Sequence, residues 1–142
     1  MKVSLQISFL ATLTLISSSL FAGERVGDFA LIDHLGMQQH MAWYDDQNAV
    51  VILPQANGAT DTNAIAAVAN LQVKYEDQGV VFFLMNPGLQ TDREAVGADP
   101  AVKELGLPVL MDDTHIISEA LGITTLNEAA VYDPRSFELL YR

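Results

Sequence analysis

Cysteine is absent from all 142 residues. That excludes disulfide cross-links, thiolate metal ligands and any catalysis that runs through a sulfenate or a mixed disulfide. Basic residues are scarce: seven Lys and Arg stand against eighteen Asp and Glu, a formal charge of −11. A field of that sign repels phosphate backbones and anionic headgroups, so nucleic acid is not an expected partner. The sequence also lacks a Ser/His/Asp array, a Gly-rich phosphate loop and any zinc-ligand spacing, and no cofactor is expected. Half the residues are apolar, enough to offset the entropy lost on folding and to form one globular domain.

The first 22 residues differ from the rest. Lys2 supplies a positive start, and Val3 to Ala22 carries no charge. This pattern is that of a signal peptide cleaved after Ala22, with an uncleaved anchor as the alternative. Residues 23–142 are then the folded domain, periplasmic or secreted, touching a membrane only through the N-terminal segment if that segment is retained. Without disulfides, its stability must come from packing.

Beyond Gly23, short apolar runs alternate with helical stretches bounded by Gly, Pro, Asn and Asp. Phe29 to Ile32 and His40 to Tyr44 flank Gly36 and predict an N-terminal β-hairpin. Ala49 to Leu53 and Val80 to Met85 are continuous apolar runs, the mark of strands covered on both faces. Between them a helix is predicted from about Asp61 to Gln78, with Ile65, Val68, Leu71 and Tyr75 on one face and Gly79 as its stop. Strand, helix and strand in this order argue for a βαβ unit in a partly parallel sheet. Asp92, Arg93 and Glu94 read as a solvated helix start. Asp99 and Pro100 start another short helix, which Gly106 ends. Pro108 to Met111 is a third central strand, after which Asp113 or Thr114 caps a helix running through Ile117 and Leu121 to Gly122. Ala129 to Tyr132, a turn at Asp133-Pro134, and Phe137 to Tyr141 complete a C-terminal hairpin. The predicted class is α/β, a three-layer arrangement around a mixed sheet.

From Val26 to Arg142 the sequence resembles the peroxiredoxin-like redoxin domains of the thioredoxin-like superfamily, the alkyl hydroperoxide reductase and thiol-specific antioxidant group. The segments that carry the resemblance are Val26-Gly27-Asp28-Phe29, Ala49-Val50-Val51-Ile52-Leu53, Gly79-Val80-Val81-Phe82-Phe83, Leu107-Pro108-Val109-Leu110-Met111-Asp112, Leu121-Gly122-Ile123 and Val131-Tyr132-Asp133-Pro134. The resemblance implies a reactive cysteine just after the first central strand. Here that stretch is Asn57-Gly58-Ala59-Thr60-Asp61-Thr62, which puts Ala59 at the nucleophile and Thr62 at the second position of a CxxC. A methyl group has no lone pair, so thiol catalysis is removed rather than slowed. Leu126 and Asn127 stand where the superfamily carries a cis-proline, and Asp61 would raise the pKa of any thiol beside it. Asn57, Gly58, Thr60 and Asp61 remain as a polar binding edge, with helix capping as the plainer reading of Thr60 and Asp61. The resemblance also implies a helix after the final hairpin, which the sequence does not supply before Arg142. Val131, Phe137 and Leu139 are therefore expected to be partly open, with the chain either a truncated version of a longer protein or covered there by a protein partner, a second copy being one choice.

Two clusters offer other chemistry. His34, Met37, His40 and Met41 surround the first hairpin and contain ligand types that suit copper, although alternating hairpin residues face opposite sides. Asp112, Asp113 and His115 follow a central strand where α/β proteins place ligands, or else form a capped loop. The expected function is a cysteine-free redoxin-like domain that binds or scaffolds, beside a redox or membrane system. The alternative is a non-thiol, metal-dependent enzyme built on these His and Asp groups.

Overall fold

The computed structural model describes residues 23–55, 62–123 and 128–142. Among these described residues eight strands form a single mixed sheet. The centre is β4 (Ala49–Pro54) and β5 (Val80–Asn86), paired in parallel from Ala49↔Val80 to Pro54↔Met85 and joined by α1 (Thr62–Tyr75), as the βαβ reading requires. β6 (Val109–Met111) extends the parallel part beside β5. β7 (Ala130–Asp133) runs antiparallel to β4 and turns into β8 (Glu138–Tyr141). On the other flank, β2 (Ala30–Asp33) pairs antiparallel with β6 and with β3 (Gln38–His40). A strand absent from the sequence reading, β1 (Glu24–Arg25), borders β8.

Because β4 and β5 alternate between two buried faces, their side chains feed two cores. Val50, Ile52, Phe83 and Met85 join Phe29, Met41, Leu121 and Tyr132 on one face. Phe82 and Leu84 join Val96, Val102, Leu107 and Val109 on the other, with Val68 and Tyr75 of α1 packed against them. Each fully buried large apolar side chain contributes about 1.5–3 kcal/mol, so a chain without disulfides stands on these two layers.

Short helices complete the second layer. α2 (Arg93–Ala98) starts at Asp92, whose carboxylate accepts from the N–H groups of Glu94 and Ala95. In α3 (Pro100–Leu105) the Asp99 carboxylate accepts from Ala101 N–H at 2.9 Å, and Gly106, at φ +64, closes the C-terminus. These are the start and stop residues expected from the sequence.

Four expectations are corrected. Met41–Tyr44 is a 3-10 turn, not strand: Met41 drops fully into the core, and the Asp28 carboxylate accepts from Ala42 N–H at 3.1 Å, bending the chain after His40. Leu71 is 43% exposed, because α1 turns Val68 and Tyr75 inward and leaves Leu71 on its flank. In α4 (Ile116–Ala120) neither Asp113 nor Thr114 caps the helix; Asp112 does that work, accepting from Ser118 N–H at 2.7 Å. Leu139 is buried in the first core with Tyr132, whereas Val131 and Phe137 are half-buried, as expected. The open apolar residues of β8 are instead Leu140 and Tyr141, where Val131↔Tyr141 and Tyr132↔Leu139 leave Leu140 as an extra residue in a bulge.

Candidate functional site

The strands β4, β5 and β6 all point their carboxyl ends to one end of the sheet, where α/β folds take up ligands. Of the sequence-predicted site residues, Asn57, Gly58, Ala59, Thr60, Asp61 and Asn127 lie outside the described residues, as does Leu126. Thr62 is the first residue of α1.

What is described at this end is held by two buried side chains. Asn86, fully buried at the end of β5, accepts from Leu89 N–H at 3.0 Å and donates to the Gln90 carbonyl, folding the following loop onto itself. Asp112, 1% exposed at the end of β6, receives the Ser118 N–H and, at 3.4 Å, the Thr114 hydroxyl, while its own N–H donates to the Asn86 carbonyl at 3.0 Å. One loop is thereby tied to the other. Asp113 is exposed, and His115, in the left-handed region at φ +62, sets its ring against Gly88. Gly88 is at φ +71, where other residues are strained, and a Cβ there would lie 2.7 Å from His115 Nε2, so a substitution would also push that exposed ring aside. The Asp112, Asp113 and His115 cluster is a loop lock in which Asp112 faces inward and the other two face out.

The hairpin cluster is likewise dispersed. His40 Nε2 pairs with Asp28 Oδ2 at 2.6 Å, and its ring meets Trp43 edge-on at 5.5 Å. His34 points to a different neighbour: its Nδ1 accepts from Val109 N–H at 3.1 Å, prolonging the β2–β6 pairing through a side chain. Met41 is core and Met37 is 61% exposed. Among the described residues no three His, Asp or Glu side chains meet at metal-binding spacing.

Sequence reasoning missed Asp33, which is buried and accepts from the N–H groups of Leu35 and Met37, both at 2.9 Å, and from Gln39 Nε2 at 2.8 Å. The signal was present: an aspartate three residues before Gly36 is an Asx-turn pattern. It also missed Tyr132, whose hydroxyl donates to the Gly27 carbonyl at 2.8 Å. Burial, with the nearby charges of Asp28 and Asp133, pushes that phenol well above the usual tyrosine range.

No family model matches the sequence, and no curated protein does. Solved structures do match. A hypothetical protein from Sinorhizobium meliloti is 27% identical, with a TM-score of 0.62 over 84% of this chain and 68% of that one. A thiol-disulfide oxidoreductase from Bacteroides fragilis is 18% identical, with a TM-score of 0.65 over 83% of this chain and 88% of the other. The peroxidoxin BcpB of Mycobacterium tuberculosis is 17% identical, with a TM-score of 0.59 over 84% and 82%. Sheet order, the parallel β4-α1-β5 unit, the closing β7-β8 hairpin and these likenesses agree: the chain has the thioredoxin-like fold, and its sequence carries no cysteine.

Proposed function

We propose that this chain is an exported, non-catalytic redoxin-like module that binds protein, either a partner in a redox or membrane system or a second copy of itself. One observation carries the reading: a thioredoxin-like fold, similar to a thiol-disulfide oxidoreductase, is built from a sequence with no thiol. Neither Ala59 nor Thr62 can form a sulfenate or a mixed disulfide. Export is supported by the uncharged run from Val3 to Ala22 behind Lys2.

Two surfaces support binding. Asn57, Gly58, Thr60 and Asp61 follow β4 in sequence and would offer polar groups to a partner there. At the β8 bulge, Leu140 and Tyr141 are 55% and 68% exposed beside half-buried Val131, an apolar step that a protein surface would cover. Insulin reduction and hydroperoxide turnover test the non-catalytic part; activity above a heat-killed control refutes it. Sedimentation at low micromolar concentration, with in-envelope cross-linking, tests the binding part. A monomer that cross-links to nothing refutes that.

A further inference from the structure

Two adjoining clefts share His34 and Leu35. The larger, about 610 Å³, lies between the hairpin turn at residues 34–36 and residues 91–94 at the start of α2. The smaller, about 260 Å³, continues between the same turn and Gly97, Lys103 and the segment 106–108. His34 is fixed between them. Its Nδ1 accepts from Val109 N–H, which puts the proton of the neutral ring on Nε2, and that nitrogen has no hydrogen-bond partner among the described residues. Gly97 leaves the space the ring occupies, since a Cβ there would lie 3.0 Å from His34 Cδ2.

Arg93 lines the larger cleft and Lys103 the smaller. Arg93 Nη1 lies over the hairpin turn, 3.4 Å from where a Cβ of Gly36 would be. Arg135 and Arg142 pair with Asp133 and Glu24, whereas Arg93 and Lys103, like Arg25 and Lys74, have no carboxylate within ion-pair distance among the described residues. In a chain with eighteen acidic and seven basic residues, two cations and an imidazole N–H gathered along two adjoining clefts offset the surrounding negative field locally. Asp92 and Glu94 on the rim hold the local charge low, which favours one negative charge over two. Buried Val102 and Leu107, with Pro108, give the smaller cleft an apolar wall.

We propose that this groove binds a single carboxylate bearing a short apolar substituent, with Arg93, Lys103 and His34 Nε2–H toward the carboxylate and the substituent against Leu35, Leu107 and Pro108. None of the residues lining the groove belongs to the segment 57–61 or to β8, so the proposal stands or falls independently of the binding role proposed above. The test is NMR titration of the full chain with N-acetyl-leucine, N-acetyl-leucinamide, a tetrapeptide ending in leucine, and inorganic phosphate. The acid shifts the amides of Gly36, Gly97 and His34, and the amide analogue does not. Arg93→Gln and Lys103→Gln each weaken binding about tenfold, the loss expected for one charge-assisted hydrogen bond. Gly97→Ala, which displaces the imidazole, weakens it as well. Tighter binding of the peptide than of the free acid assigns the ligand as a peptide C-terminus, and weaker binding assigns a small free acid. No shift at millimolar acid, equal response to acid and amide, preference for phosphate, or an unchanged Kd in Arg93→Gln overturns the proposal.

Discussion

Replacing Asp112 by alanine tests how the loops at the ligand-binding end are held. Asp112 and Ser118 are 1% and 2% exposed, so no water reaches the 2.7 Å bond between the carboxylate and the Ser118 N–H. The substitution removes a charge-assisted hydrogen bond worth about 1.5–3 kcal/mol and leaves a buried donor unsatisfied. The expected loss is about 2–3 kcal/mol, a large share of the roughly 5–15 kcal/mol that holds a typical domain. With a urea dependence of about 1–3 kcal/mol per molar, the midpoint should fall by about 0.7–3 M. Far-ultraviolet circular dichroism is the readout, because Trp43 is 60% exposed and its fluorescence reports the core poorly. Asp112→Asn keeps an acceptor and should lose only about 1 kcal/mol. Asp113→Ala, at the exposed neighbour that the sequence favoured as the cap, should stay within about 0.5 kcal/mol of the parent. Equal losses at positions 112 and 113 would refute the assignment.

Further outcomes follow from other contacts. Tyr132→Phe removes the bond to the Gly27 carbonyl and should cost about 1 kcal/mol, read as a lowered Tm. Because burial raises the Tyr132 phenol, its stabilising effect is complete below the free tyrosine value of about 10 and fades as pH rises beyond it. An absorbance titration should therefore show a late-titrating tyrosine that Tyr132→Phe removes. Asp133 is held below the usual carboxylate range, first by the Arg135 backbone N–H, so its contribution is present above about pH 4 and is lost as pH falls through the depressed value. Asp133→Asn should flatten that part of the acid-unfolding curve, and an unchanged curve would count against it. Ala59→Cys should give a thiol no more acidic than free cysteine, about 8.5, because Asp61 opposes the helix dipole; a titration midpoint well below 7 would contradict that. Leu140→Lys with Tyr141→Lys should leave Tm nearly unchanged while abolishing any self-association seen by sedimentation.

The central layout was legible without coordinates, because the signals that specify it are local. The apolar runs of β4 and β5, the Asp99-Pro100 start and the Gly79 and Gly106 stops each act within a few residues of where they stand. The loss of thiol chemistry was legible for a simpler reason: cysteine is absent wherever the chain places its helices. What the sequence could not decide were contacts between segments far apart in the chain. Periodicity continued β3 through Tyr44, but Asp28 and the core claimed Ala42 and Met41. The copper-like set around the hairpin was a matter of spacing alone, and folding sent His34 to Val109, His40 to Asp28 and Met41 inward. Asp112 and Asp113 are adjacent acids of equal capping propensity, and only the end of β6 determines which one faces Ser118. The unpaired Arg93 and Lys103 read as ordinary surface charges until the hairpin turn is laid beside them. A groove is a relation between surfaces, and tertiary packing alone creates it.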